Sequence, residues 1–123
     1  MENDIFIQKL ISGTKNKKLK WEARYVNRPY RSNLSYQLEK NKKLLIIGKY
    51  NTIEESAYGE EIQVTHCSVS ICELNGVVLT EIGEDDLKNG SNLWRLYRLV
   101  ERQANHVDDI MEQFVEDITD IDF

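Results

Sequence analysis

From Ser91 to Ile118 the apolar residues fall at Leu93, Leu96, Tyr97, Val100, Ala104, Val107, Met111, Phe114 and Ile118. Steps of three and four residues put these side chains in one continuous stripe on an α-helix. At a rise of ~1.5 Å per residue that helix would run roughly 42 Å, whereas a compact domain of this length is about 35 Å across. The pattern therefore predicts a helix as long as the body that carries it. Three outcomes resolve the mismatch: a kink at Asn105–His106, a frayed overhang, or packing of the overhang on a second copy. The stripe is also close to the 3.5-residue seam used for helix–helix contact. Packing on the protein's own sheet accounts for its first part, and from Val107 onward an interaction role stays open.

Upstream, the period changes. Asn3 is a candidate N-cap with Asp4 in the first turn, Phe6, Ile7, Leu10 and Ile11 make one helical face, and Gly13 is a candidate stop. Leu19, Trp21, Ala23 and Tyr25 alternate with Lys20, Glu22 and Arg24, as in a half-buried strand that Pro29 then interrupts. Leu34, Tyr36 and Leu38 resume the alternation. Lys40-Asn41-Lys42 reads as a hairpin connection into a strand Leu44–Tyr50, whose Leu44-Leu45-Ile46-Ile47 core is apolar on both parities, as a central covered strand should be. Asn51–Glu61 reads as the main surface loop. Ile62 and Val64 lie on one parity and Cys67, Val69 and Ile71 on the other, so a β-bulge near Thr65–His66 is expected. Asn75-Gly76 predicts a type I′ turn that sets Cys72 opposite Leu79 and Val69 opposite Ile82. Ser91 or Asn92 is the expected cap of the long helix, after an acidic loop from Gly83 to Gly90.

The order is a short N-terminal helix, five strands in an antiparallel meander and a long C-terminal helix packed on the sheet: a single α+β domain over residues 1–123. The run from the first helix into Leu19-Lys20-Trp21, the meander, and the closing Leu96-Tyr97-Arg98-Leu99-Val100 to Val107-Asp108-Asp109-Ile110 resembles a loose group of small bacterial and phage proteins of unassigned function. The resemblance implies this fold and a bacterial or phage setting. It implies no activity and no site.

Charge changes the picture along the chain. Up to Lys49 there are twelve Lys and Arg against four acids, and from Tyr50 onward four against seventeen, a swing from +8 to −13. Such polarity can mark opposed binding surfaces, or can cancel where a meander interleaves the halves. No apolar run approaches the ~18 residues of a membrane span. Met1-Glu2-Asn3-Asp4 lacks the basic start of a secretory signal, so the chain is expected to be cytoplasmic. Cys67 and Cys72, five residues apart on one strand, are expected on opposite faces as reduced cysteines.

Catalytic chemistry finds little to use. His66, Cys67 and Cys72 suggest zinc, but His66 and Cys72 on a regular strand are about 20 Å apart, too far to share an ion. Glu101, Asn105, Asp108 and Glu112 share a helix face beside His106 and Asp109. One face offers too few oxygens for a tight cation site, and carboxylates near a helix C-terminus oppose its dipole. No nucleophile elbow and no phosphate-cradling glycine loop is present. An enzyme would have to assemble a site from loops around His66, Tyr58 and Glu60. No cofactor and no metal is expected.

Two non-enzymatic readings remain. The first is a small interaction or regulatory protein that binds or occludes a macromolecular partner through Val107, Asp108, Met111, Glu112, Phe114, Val115 and Ile118, with a homodimer as its simplest form. An acidic helix that mimics nucleic acid is a sharper variant. The second is a nucleic-acid binder using Lys17, Lys18, Lys20, Arg24, Arg28 and Arg31 interleaved with Trp21, Tyr25, Tyr30 and Tyr36. A chain pI near 5.1 weighs against the second, because dedicated binders are basic.

Overall fold

A computed structural model describes residues 2–25 and 31–119, with side chains placed from Leu34 onward in the second stretch. Helix α1 spans Glu2–Lys15, followed by strands β1 (Glu22–Tyr25), β2 (Arg31–Lys40), β3 (Lys43–Glu55), β4 (Glu61–Glu73) and β5 (Val78–Gly83). A short 3₁₀ turn at Glu84–Asp86 leads to α2 (Ser91–Ala104) and α3 (Val107–Thr119). The strands form one antiparallel sheet in sequence order, the predicted meander. The single long C-terminal helix is instead two helices, broken at Asn105–His106.

Register explains the core. Tyr36, Ile47, Val69 and Ile82 stand in one row across β2 to β5. All four are buried in one cluster with Ile7, Leu10 and Ile11 of α1 and Leu93, Leu96, Tyr97 and Val100 of α2. Burying side chains of this size is worth about 1.5–3 kcal/mol each, so this row and the two helices hold the fold. Cys67 belongs to this cluster, while Cys72 lies on the opposite strand parity, and neither is in a disulfide. Strand β3 is central, and no residue from Lys43 to Tyr50 is fully exposed.

Several local expectations are corrected. The β3–β4 ladder is continuous from Lys43↔Glu73 to Glu55↔Glu61, so there is no bulge at Thr65–His66; Ile62 simply points outward and is exposed. Most of the expected loop is ladder too, closed by a tight turn in which Ser56 Oγ accepts from the Tyr58 and Glu60 amides. The register shift falls instead between Ile71 and Cys72, pairing Cys72 with Val78 rather than Leu79, whereas Val69↔Ile82 is as expected. At Leu74-Asn75-Gly76 only Gly76 has positive φ (93°), and the Gly76 amide donates to Glu73 O. That is a three-residue hairpin with glycine in the left-handed position, not a type I′ turn. Positive φ at both central residues occurs at Asn41 (53°) and Lys42 (61°), in the β2–β3 hairpin. Ala23 and Tyr25 are exposed because β1 is the edge strand.

Helix ends differ from expectation in a similar way. Asn3 lies inside α1, whose start is already at Glu2. Gly13 does not stop α1. The helix closes with Lys17 in the left-handed region (φ 60°), the Lys18 amide donating to Gly13 O and the Lys17 amide to Thr14 O. This double bond pattern satisfies the last carbonyls. Gly13 is needed for space: a Cβ there would lie 2.7 Å from Leu19 Cδ1. At the start of α2 neither Ser91 nor Asn92 caps the helix. Asn89 Oδ1 accepts from both the Ser91 amide and the Ser91 hydroxyl.

Candidate functional site: the unburied helix α3

The break between α2 and α3 has a local cause. The Asn105 amide still donates to Glu101 O at 3.1 Å, but His106 turns to φ 53° and its amide donates to Gln103 O at 3.1 Å. A left-handed residue ends a helix, and polar side chains such as His and Asn tolerate that conformation better than branched ones. The His106 carbonyl then accepts from the Ile110 amide at 3.1 Å, opening α3. Asp108 and Asp109 thereby occupy the first turn of a new helix, where its dipole favours carboxylates. The unfavourable C-terminal placement expected from an unbroken helix does not arise for them.

Behind the break, the end of α2 is locked to the body. Gln103 Oε1 accepts from the Trp21 amide at 2.8 Å, and Gln103 Nε2 donates to Leu19 O at 2.7 Å and Thr14 O at 3.3 Å. Asn105 Nδ2 donates to the Tyr36 hydroxyl at 3.4 Å. One amide side chain thus joins the end of α1, the entry to β1 and the end of α2. The point from which α3 departs is therefore fixed.

Beyond it, nothing of α3 is buried. Ile110, Met111, Phe114, Val115 and Ile118 are 48–62% exposed, and Val107 is partly covered. At 3.6 residues per turn these six share one face about 140° wide. Asp108 and Glu112 border one side of that face and Asp117 the other. Arg102 of α2 reaches across the break: its guanidinium donates to Asp108 Oδ1 at 2.9 and 2.6 Å and to Met111 Sδ at 3.4 Å. All seven residues expected to bind a partner (Val107, Asp108, Met111, Glu112, Phe114, Val115, Ile118) lie on α3. Ile110, part of the same face, escaped the sequence reading because it departs from the 3.5-residue seam used to trace the stripe.

The basic set is brought together only in part. Lys17, Lys18 and Lys20 are exposed around the end of α1. Arg24 on β1 donates to Gln37 Oε1 at 3.2 Å, while Arg28, Tyr30 and the side chain of Arg31 lie outside the described residues. Of the aromatic partners, Trp21 and Tyr36 are buried, with Trp21 Nε1 donating to Thr14 Oγ1 at 3.0 Å and the Tyr36 ring 5.8 Å from that of Tyr97. They are not available to stack on bases, and Tyr25 is the exposed one.

His66 is not joined by Tyr58 and Glu60. Tyr58 is 93% exposed at the tip of the β3–β4 ribbon. His66 instead lies in an acidic cleft of about 480 Å³. Its Nε2 is 3.0 Å from Thr52 Oγ1 and 3.5 Å from Glu54 Oε2, and its Nδ1 is 3.4 Å from Glu84 Oε1. Glu84 Oε1 also accepts from the Cys67 amide at 2.9 Å. Among the described residues no group of three His, Cys, Asp or Glu side chains is placed to hold a metal ion. Burial, with the Glu84 carboxylate adding to it, pushes the Cys67 thiol up to about 12, so this cysteine is not a nucleophile at neutral pH. Burial also raises the Tyr36 and Tyr97 phenols. No described helix is long and apolar enough to cross a membrane.

No family model matches this chain, and neither a curated protein nor a solved structure matches it significantly.

Proposed function

We propose that this is a small non-enzymatic interaction protein in which the α1–sheet–α2 body is a mount and α3 is the docking element. The observation that carries the reading is that α3, a helix of 13 residues, buries none of them yet gathers its apolar side chains on one face. An amphipathic helix is stable in water chiefly when that face is packed against something. Among the described residues none covers that face, so a macromolecular partner completes it, and binding or occluding that partner is the activity. The resemblance in pattern to small bacterial and phage proteins makes the bacterial cytoplasm the setting we propose. A homodimer through α3 is the simplest competing occupant. Nucleic-acid binding through Lys17, Lys18 and Lys20 is the weaker alternative, because Trp21 and Tyr36 are buried in the core.

The test is a photo-crosslinking amino acid placed at Phe114 and, in a separate variant, at Gln113, which lies outside the apolar face of the same helix. In cells the Phe114 position is expected to give a discrete adduct and Gln113 to give far less. Equal yields from the two positions, or none from either, would contradict a face-specific docking role.

A further inference from the structure

We infer that the surface receiving α3 is an apolar groove on a different protein, rimmed by lysine and arginine side chains. This rests on the docking reading above and names the chemistry of the partner. Val107–Thr119 holds Asp108, Asp109, Glu112, Glu116 and Asp117 and not one lysine or arginine. Carboxylates border the apolar face on both sides, so whatever closes over Phe114 and Met111 must bring positive charge to both edges.

The alternatives fail on charge or on size. Helices that lie on membranes carry Lys and Arg on their polar face, and anionic lipid would repel this one. Nucleic acid is excluded from α3 for the same reason. A second α3 would set two sets of five carboxylates side by side. Its contact strip would be about 20 Å by 10 Å, well short of the ~800 Å² per side of a stable interface. A groove that wraps the roughly 140° apolar arc buries more of the same helix than a flat mate can. The molecule itself contains a sample of the contact. Arg102 lies on the edge of the face with its guanidinium on Asp108 and against the sulfur of Met111, as a rim arginine of the partner would lie farther along at Glu112 or Asp117.

The test uses the full chain and two synthetic amphipathic helical peptides of about 18 residues, long enough to be helical when bound. Both have a leucine face, rimmed in one by lysine and in the other by glutamate. Titration by fluorescence anisotropy at about 50 mM salt is expected to show binding of the Leu/Lys peptide and none of the Leu/Glu peptide. Binding should weaken about tenfold in the triple variant Asp108→Asn, Glu112→Gln, Asp117→Asn. It should weaken more than about 30-fold in Phe114→Ser, the loss expected of a central anchor. Equal binding of both peptides, no binding of the Leu/Lys peptide, or an unaltered affinity of the triple variant would overturn the basic-rim inference. So would a solution mass of twice the 14.4 kDa chain that Phe114→Ser returns to the monomer, since the occupant is then a second copy. Those results leave α3 as a docking helix. By contrast, full Leu/Lys binding by Phe114→Ser would place the peptide elsewhere, and the docking reading itself would fall.

Discussion

Helices α2 and α3 come from one uninterrupted apolar stripe and are nearly equal in length, 14 and 13 residues. The first buries Leu93, Leu96, Tyr97 and Val100; the second buries nothing. What separates them is their polar complement and their surroundings, not their periodicity. The face of α2 meets a row of sheet residues and α1, and its exposed side carries Arg95, Arg98 and Arg102. The face of α3 is left exposed, and its charged residues are all acidic. The same sequence signal therefore marks a core helix in one case and an uncovered face in the other. A helical stripe says that a face must be covered, not by what.

The sharpest way to break this contrast is to truncate each face. Leu96→Ala should cost about 2–5 kcal/mol and lower Tm accordingly, as for other buried leucines. Phe114→Ala should stay within about 0.5 kcal/mol of the parent, because no core surrounds it. A comparable loss at both positions in chemical denaturation would mean that α3 packs on the body in solution.

Next in size is the lock behind the break. Gln103→Leu removes three hydrogen bonds and leaves the partly buried Trp21 amide without its acceptor. A loss of about 2 kcal/mol in urea denaturation is expected. Unchanged stability would show that the α2 end is held by packing alone.

Alkali should act on the α2 side of the comparison. Cys67, beneath Leu93, titrates near 9.0 when exposed and at about 12 in the fold, so the folded state keeps a proton that the unfolded chain has lost. Stability is then unaffected below about pH 9 and falls between 9 and 12, by up to about 1.4 kcal/mol per pH unit for this group. The raised Tyr36 and Tyr97 phenols add to the fall. Cys67→Ala should flatten the slope of Tm against pH in that window, and an identical slope would contradict the assignment.

The smallest effects lie at the break itself. His106→Gly relieves a left-handed φ of 53° and should raise stability by no more than about 1 kcal/mol, whereas His106→Val should lower it by about 1–2 kcal/mol. Arg102→Gln should change stability by less than about 0.5 kcal/mol, since the Arg102–Asp108 pair is exposed on both sides. A larger loss in thermal melts would make Arg102 a structural clamp on α3.

Much of the fold was legible because it is repetitive: the period-2 run of β2, the doubly apolar run of β3, the Val69↔Ile82 pairing and the helical spacing of the Leu93–Val100 face follow from side-chain periodicity. Length showed that a straight helix would outrun the body, and a kink at Asn105–His106 was one of three outcomes it left open. What was hidden depended on single backbone torsions or on space. Asn-Gly suggested the two-residue turn, but the register shift beside Cys72 made the loop three residues long, and Asn41–Lys42 took the left-handed pair instead. Gly13 looked like a stop and serves Leu19. In the candidate site, the exposed apolar face was readable as a stripe, but Ile110 was passed over by the seam spacing. The favourable position of Asp108 and Asp109 was invisible until the break made them a helix start.

The central claim is that the apolar face of α3 is open in the isolated chain while that of α2 is closed. The direct measurement is the rate of thiol labelling under native conditions for Phe114→Cys and Leu96→Cys, each in a background with Cys67 and Cys72 replaced by alanine. The account predicts that Phe114→Cys reacts within about tenfold of the unfolded chain, and that Leu96→Cys is protected by the stability of the whole fold. Equal protection at the two positions would contradict it, since α3 would then already be covered by its own body or by a second copy.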